Sequence, residues 1–412
     1  MGSYESCIMS TFLGLIEEIP GISIDCFNGK NSNSSAFFLS HCHQDHMKGL
    51  CYEFFDSLKK NNNYLYCSHI SKVILQNYFF ELDVSLVDEC IKELPLDEVK
   101  IIEYSHNGIN KSVTVSCISS GHCPGSIMIL FTFQNIRILY TGDFRINKHD
   151  YSKLKSLHIF NGSEYIPLSI DKIYLDTTFL SLNFREFPCR LDSSKELCKT
   201  VKEWIDLDKK NIVILEISAL YGSEFIYREL YKFLNIKIHV KDNVYKVYSR
   251  IDILSNCVTN LSQSTPIHAC MNKRNSMKNI LGLQCRPNVV QKNILTIVPS
   301  VWKWAGKNTS CISEWDTNRK QTRNICYSTH ASYNELEVFI KYFKPKHVFA
   351  CVCPENNKKE INDLLLHIMQ KIYRNNTLEK LHSKKNSISF STHKTFSNKK
   401  FKSSVLSDDE DT

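Results

Sequence analysis

The stretch Ser40-His41-Cys42-His43-Gln44-Asp45-His46 crowds three histidines and an aspartate into six positions, directly behind the apolar run 36–39. A strand ending in His-x-His-x-Asp-His presents ligands to two neighbouring points. His41 and His43 stand two apart, so on an extended backbone both rings turn to the same side. Asp45 and His46 follow the turn and face a second point. Imidazole and carboxylate suit zinc and, less tightly, manganese or iron. Structural zinc sites are normally closed by cysteine, so a His/Asp set with no obligatory thiol fits a catalytic centre that keeps a position for water. Cys42, in the middle of the stretch, is expected not to be a ligand. The stretch supplies four ligands, too few for two cations, so the remainder must come from elsewhere.

Four later loops offer them. "SSGHCPGS" carries His122, "LYTGDFR" carries Asp143, "YLDTTF" carries Asp176 and "CYSTHASY" carries His330, each behind an apolar, β-prone run. A single histidine at a strand end is ordinarily a surface or satisfied core residue. Together the loops complete a ligand set for a two-metal centre, with cations about 3.5–4 Å apart.

Around these loops the pattern is that of a mixed α/β chain. Short β-prone runs at 21–27, 64–68, 112–118 and 172–179 are bounded by polar turns, and 126–144 reads as a hairpin turning at Gln134-Asn135. From about 177 the pattern becomes strand–helix alternation. It includes a helix over 193–207 with Ser193 or Ser194 as N-cap, a strand over 211–217 and a helix over 222–234. A late helix at 334–343 is expected to return to the first unit. Beyond about 374 the chain is rich in Ser, Asn and Lys and reads as a disordered tail. Its lysine clusters and closing "SDDEDT" suit a nuclear-import or phosphorylated segment, or a merely solvated one.

At 412 residues, 42% hydrophobic and 23% charged, the chain is long enough for more than one domain and has globular composition. A net charge of +8 permits a polyanionic partner without demanding one. Seventeen cysteines and no secretory signal lead to the expectation of a reducing compartment and mostly free thiols. No apolar run reaches the roughly 18 residues of a membrane span. Gly2 and Ser6 fit an N-myristoylation pattern, although Met9 is an equally good start.

The ordered set HxHxDH, GHCPGS, TGDF, LDTT and a late histidine resembles the metallo-β-lactamase family in its β-CASP nuclease branch, over about residues 10–360. Finer matches, "ISID" with Asp25, "FLSHCHQDHMKGL", "GHCPGSIM", "YTGDFR", "YLDTTF", "IHAC" and "HASY", are similar to its DNA cross-link repair nuclease group. The resemblance implies a metallo-β-lactamase αββα sandwich built from 1–176 and 321–373. It places an inserted α/β β-CASP domain at 177–320, with 374–412 as the tail. It implies that His41, His43 and His122 hold one zinc, that Asp45, His46 and His330 hold a second, and that Asp143 bridges. Asp176 and Asp25 are then carboxylates that orient the ligands.

The activity so implied is a DNA nuclease, zinc-dependent with Mg2+ or Mn2+ as alternatives. It would be a 5′-3′ exonuclease and a structure-specific endonuclease on hairpins, overhangs and single/double-strand junctions. The setting would be non-homologous end joining in the nucleus, with a DNA-dependent protein kinase and an end-joining ligase complex as partners. An RNA-processing endonuclease of the same branch is an alternative. Val352, where RNA enzymes of the branch tend to carry His, favours DNA, though Val352 also suits a buried strand.

His268 and Cys270, two apart on an extended segment, face one way, and two further ligands would complete a Cys2His2 set. His239 and Cys285 are candidates, irregularly spaced, and the resemblance implies a structural zinc at these four. Asn183, Ser218 and Val298 fall where the resembled group carries basic residues along the DNA path. Lys48, Arg185, Arg228 and Lys303 are candidates to compensate, and Trp302 and Trp304 to stack on bases. Those departures raise a third reading, a catalytically weak scaffold on DNA ends, against which the complete ligand set argues.

Overall fold

The computed structural model describes residues 10–79, 84–217, 221–270 and 283–386. The readings of Gly2, Ser6 and Met9, of Ser218, and of the chain beyond 386 lie outside the described residues.

Strand alternation builds the first layer pair. Ile22–Ile24, Ala36–Phe38, Tyr64–Cys67 and Ile91–Glu93 form a parallel four-stranded sheet. Successive side chains of a strand point to opposite faces. Ala36 and Phe38 therefore enter a core shared with Ile22, Ile24, Val113, Val115, Ile129 and Tyr140. Phe37 faces the other way, its ring 5.1 Å from Phe54 of the helix Tyr52–Asn61 and in one cluster with Leu75 of the helix His69–Tyr78. Burial on both faces is why Ala36–Phe38 is apolar throughout, while the edge strand Ile91–Glu93 exposes Lys92.

The second sheet runs His347–Ala350, Lys172–Leu175, Ile136–Tyr140, Ile127–Phe133, Ile109–Ser119, Val99–His106. Its Val113, Val115, Ile127 and Ile129 pack on the first sheet's inner face. The hairpin turns at Gln134, which adopts φ +53°. The helix Tyr333–Phe343 opens with a capping box of Ser332 and Glu335, and its Phe339 ring sits 4.8 Å from Phe144. This is the αββα arrangement expected.

A seven-stranded sheet holds Ile212–Leu215, Ile238–His239, Val258–Thr259, Ile267–His268, Ile294–Pro299, Ser313–Trp315 and Thr322–Ile325. Thr322–Ile325 belongs to this sheet although it lies past the expected boundary at 320. The preceding helix spans Arg190–Leu207 and is capped by Cys189, not Ser193 or Ser194. Both serines are buried in its first turns, and Ser193 Oγ donates instead to the Cys326 carbonyl at 2.6 Å. At the other end of the chain, Lys358–Asn386 is helical, so helix continues past the expected tail boundary at 374.

Where the chain passes to and from the seven-stranded sheet, one buried guanidinium holds both crossings. Arg145 donates from Nε to Glu335, from one terminal nitrogen to the Ser328 carbonyl and from the other to the Pro188 carbonyl, at 2.9–3.0 Å. The planar fork of arginine matches three acceptors at once.

Candidate metal centre

The predicted ligands meet at one edge of the sandwich. His41 to His46 follow the strand Ala36–Phe38, His122 follows Ile109–Ser119, Asp143 follows Ile136–Tyr140 and Asp176 follows Lys172–Leu175. His330 arrives from the other side, on the chain leaving Thr322–Ile325. Ile127 N–H donates to the Ser40 carbonyl at 3.0 Å and ties the two sheets together here.

Every imidazole in this cluster gives one nitrogen to an outer acceptor and turns the other inward. His41 Nδ1 lies 3.0 Å from Ser40 Oγ, His46 Nδ1 2.8 Å from Asp25, His122 Nδ1 3.1 Å from the Thr329 carbonyl and His330 Nδ1 2.9 Å from Asp176. His43 is reversed: its Nε2 donates to the Tyr221 carbonyl at 3.0 Å, and Nδ1 points inward. Outer acceptors of this kind fix the tautomer and raise the basicity of the inward nitrogen.

The inward atoms converge. One candidate nitrogen or oxygen from each of His41, His43, His122 and Asp143 lies within 4.8 Å of the others, and Asp143, Asp176 and His330 form another such group. Asp143 Oδ2 is 3.4 Å from His41 Nε2, 3.6 Å from His122 Nε2 and 3.9 Å from His330 Nε2, while its Oδ1 is 3.4 Å from His46 Nε2. Asp45 Oδ2 lies 3.5 Å from His46 Nε2 and accepts from the backbone of Ser10.

Two features of this donor set fit a bound cation. His41 Nε2 and His46 Nε2 are buried with no hydrogen-bond partner among the described residues, an expensive state for a polar atom. His43 Nδ1 and His122 Nε2 stand 3.2 Å apart with both their protons engaged elsewhere, so two lone pairs face each other. A positive charge between them removes both conflicts.

The electrostatics divide the rings: His43 and His122 are held neutral, whereas burial is overcome by neighbouring carboxylates that hold His46 and His330 protonated, so a cation would have to displace a proton from each of the latter two. Burial and the neighbouring His41 push His43 down to about 3, and burial with His330 holds His122 well below the ordinary histidine value. Both rings are thus neutral at pH 7, the form that ligates a metal. Burial opposes ionisation of Asp143, but the imidazoles of His46 and His330 outweigh it and keep its carboxyl far below the usual range. Burial opposes the charge on His330 as well, yet Asp143 and Asp176 raise it to about 9.

Besides Asp25 and Asp176, which the sequence reading named, several supporting groups escaped it. Asp25, at φ +57°, accepts from the backbone and hydroxyl of Ser40, from His46 and from Tyr140 OH. Thr178 holds Asp176 through its N–H and hydroxyl. Ser40, Tyr140 and Thr178 sit inside the quoted motifs, so proximity was a usable signal. Tyr221 acts through a backbone oxygen and leaves no side-chain signal at all. Cys42 is buried, its thiol pushed up to about 12 by burial and donating to the Ser71 carbonyl, as its exclusion from the ligands requires.

A second cluster lies in the seven-stranded sheet. His239 and His268 are register partners on adjacent parallel strands, with Nδ1 atoms 3.0 Å apart. Cys285 Sγ is 3.4 Å from His268 Nδ1 and 3.5 Å from Cys270 Sγ, and the four candidate ligand atoms lie within 4.8 Å of one another.

The residues named for DNA contact are scattered in circumstance. Arg185 and Asn183 are exposed, whereas Arg228 and Val298 are half-buried. Lys48 Nζ donates to the Ser10 carbonyl, and Lys303 pairs at 3.2 Å with the buried Asp316 carboxylate. Trp302 is half-buried between Phe179 and Phe184. Trp304 does not stack outward: it is buried, with its indole N–H on the Cys311 carbonyl, because an aromatic cluster with Phe179 encloses it. Val352 is buried and exchanges backbone hydrogen bonds with the Thr177 hydroxyl.

Residues 252–356 match the family model described as DNA repair metallo-beta-lactamase. The chain is 33% identical over 360 residues to protein artemis of Rattus norvegicus, covering 84% of this chain and 49% of that protein. It is 33% identical over 370 residues to protein artemis of Danio rerio, covering 86% and 55%. It is 27% identical over 350 residues to DNA cross-link repair 1A protein of Gallus gallus, covering 82% and 32%. The chain therefore spans about half the length, or less, of these curated relatives. With the αββα sandwich, the seven-stranded sheet and the converging histidines, these matches make the chain similar to the DNA repair metallo-β-lactamases, whose family model it matches over residues 252–356.

Proposed function

We propose that the chain is a metal-dependent DNA nuclease that processes DNA ends, including hairpins, overhangs and single/double-strand junctions, in end joining within the nucleus. The observation that carries this reading is Asp143, a carboxylate flanked by imidazoles on both oxygens: Oδ2 lies 3.4–3.9 Å from His41, His122 and His330, and Oδ1 lies 3.4 Å from His46. On this reading His41, His43 and His122 hold one cation, Asp45, His46 and His330 a second, and Asp143 bridges. The all-nitrogen-and-oxygen donor set suits zinc, with manganese or magnesium as alternatives at the second position.

Bound there, such a pair supplies Lewis acidity towards the scissile phosphate and a water of lowered pKa as nucleophile. The chain's own part is preorganisation. Asp25 and Asp176 hold His46 and His330 by Nδ1, and the carbonyls of Tyr221 and Thr329 hold His43 and His122. Inward lone pairs are thereby set before substrate arrives, so no side chain has to reorganise as charge develops on the phosphoryl oxygens.

His239, His268, Cys270 and Cys285 form a tetrahedral structural zinc site in this proposal, joining two adjacent strands to a later loop. The domain limits, the DNA contacts of Lys48, Arg185, Lys303 and Trp302, and the kinase and ligase partners belong to the same reading. Its support is similarity to relatives named for artemis and for DNA cross-link repair.

The test is cleavage of a 5′-phosphorylated DNA hairpin or overhang with added divalent metal. Asp45→Asn and His43→Ala should each abolish cutting while DNA binding persists. Equal activity in the wild type and both variants would overturn the reading.

A further inference from the structure

His43 differs from its neighbours in that its outer acceptor comes from the inserted unit, 178 residues away. The Tyr221 carbonyl takes its Nε2–H at 3.0 Å. The next residue, Gly222, approaches so closely that a Cβ there would lie 2.9 Å from the same nitrogen. Gly222 also adopts φ +117°, a conformation that other residues rarely take.

This turn is held from behind. Gly222 N–H donates to both oxygens of Glu224, at 2.8 and 2.9 Å, and Tyr248 OH donates to Oε1 at 2.5 Å. Glu224 is 2% exposed, in the first turn of the helix Glu224–Leu234, and Tyr248 is 1% exposed on the helix Asp242–Tyr248. Tyr221 packs its ring 5.8 Å from Tyr248, so the turn and its anchor form one packed block. A glutamate so deeply buried is a liability unless its position matters: burial pushes its carboxyl up, against the hydrogen bonds from Tyr248 and Gly222.

We propose that Glu224 is a positioning residue of the metal centre. By clamping the Tyr221–Gly222 turn it holds the carbonyl that keeps the proton on His43 Nε2, which leaves Nδ1 as the inward donor. The inference rests on the metal-centre reading and adds to it that the inserted unit sets the tautomer of one ligand.

Without the clamp, the turn relaxes away from the ring, Nε2 loses its acceptor, and the two tautomers compete. The ligand field weakens at one position while the substrate groove is untouched. Chelator titration of Glu224→Ala should therefore release one of the bound metals at roughly 10–100-fold lower chelator than wild type, the range for losing an outer partner of a ligand. On single-stranded DNA with a 5′-phosphate, kcat should fall in parallel while KM stays within about twofold, since only transition-state interactions are lost. Glu224→Gln, which keeps an acceptor oxygen for Gly222 N–H and Tyr248 OH, should recover most of both.

A folded Glu224→Ala that holds metal and turns over like wild type overturns the proposal. Should that variant not fold, Tyr248→Phe decides, and unchanged chelator sensitivity in it overturns the proposal equally. Wild-type protein that neither binds metal nor cuts DNA overturns the nuclease reading instead, so the two failures are distinct.

Discussion

Asp143 faces His41 with one carboxylate oxygen and His46 with the other, each 3.4 Å from an imidazole Nε2. An amide cannot repeat this, because its NH2 end is a donor only and has no lone pair to offer a cation. Asp143→Asn should lose at least one bound metal per chain, measured by mass spectrometry of the purified protein. Nuclease activity should fall by more than about 100-fold, beyond the range for supporting partners. Full metal content with full activity would remove Asp143 from the centre.

Asp25 and His46 form a buried pair, each side chain 3% exposed, and Asp25 also accepts from Ser40 and Tyr140. Removing one partner of such a pair leaves the other's polar groups buried and unmet. Asp25→Ala is predicted to lower stability by about 3–5 kcal/mol, read from denaturant unfolding, and to weaken metal retention through His46. A loss under about 1 kcal/mol, the level of an ordinary exposed pair, would contradict the burial argument.

Burial pushes the Cys270 thiol up to about 12 and that of Cys285 upward too, so both stay protonated unless a cation displaces the protons. Wild-type protein should carry more metal than a two-metal centre accounts for. Cys285→Ser should lose one zinc and melt at lower temperature, with the Asp143 centre still loaded. Unchanged zinc content in that variant would leave the four residues as a packed polar cluster.

Asp316 supplies an acid-stability signal away from both clusters. Burial alone would raise its pKa, but hydrogen bonds from Asn324 and the Asn318 backbone, together with Lys303, bring it down from 3.8 to about 2. The folded value lies below the unfolded one, so the stabilisation is complete above pH 3.8 and disappears as pH falls through about 2. Asp316→Asn should therefore be less stable than wild type by about 1–2 kcal/mol near neutrality. The gap should close across that acid window in urea unfolding curves, and a gap independent of pH would refute the assignment.

The loop from His41 to His46 is legible in sequence because ligand spacing along an extended chain is set by the backbone itself. The same holds for His122, Asp143 and Asp176, each one turn beyond an apolar strand. What escapes is what other segments impose. Tyr221 serves His43 through a carbonyl, a group every residue possesses. Ser193 and Ser194 carry the chemistry of a cap, but the chain turns into helix at Cys189 and spends Ser193 on Cys326. Trp304 looks like a stacking platform until Phe179, Val301 and Cys326 close around it.

Arg145 gives the molecule a mechanical centre. It grips both crossings of the inserted sheet, Pro188 and Ser328, two residues along the chain from Asp143. The two units also share one apolar core, in which Phe54 and Leu75 lie with Val244 and Tyr248, so this guanidinium works as a polar rivet in a joint with a greasy interior, set where the chain runs on to Asp143.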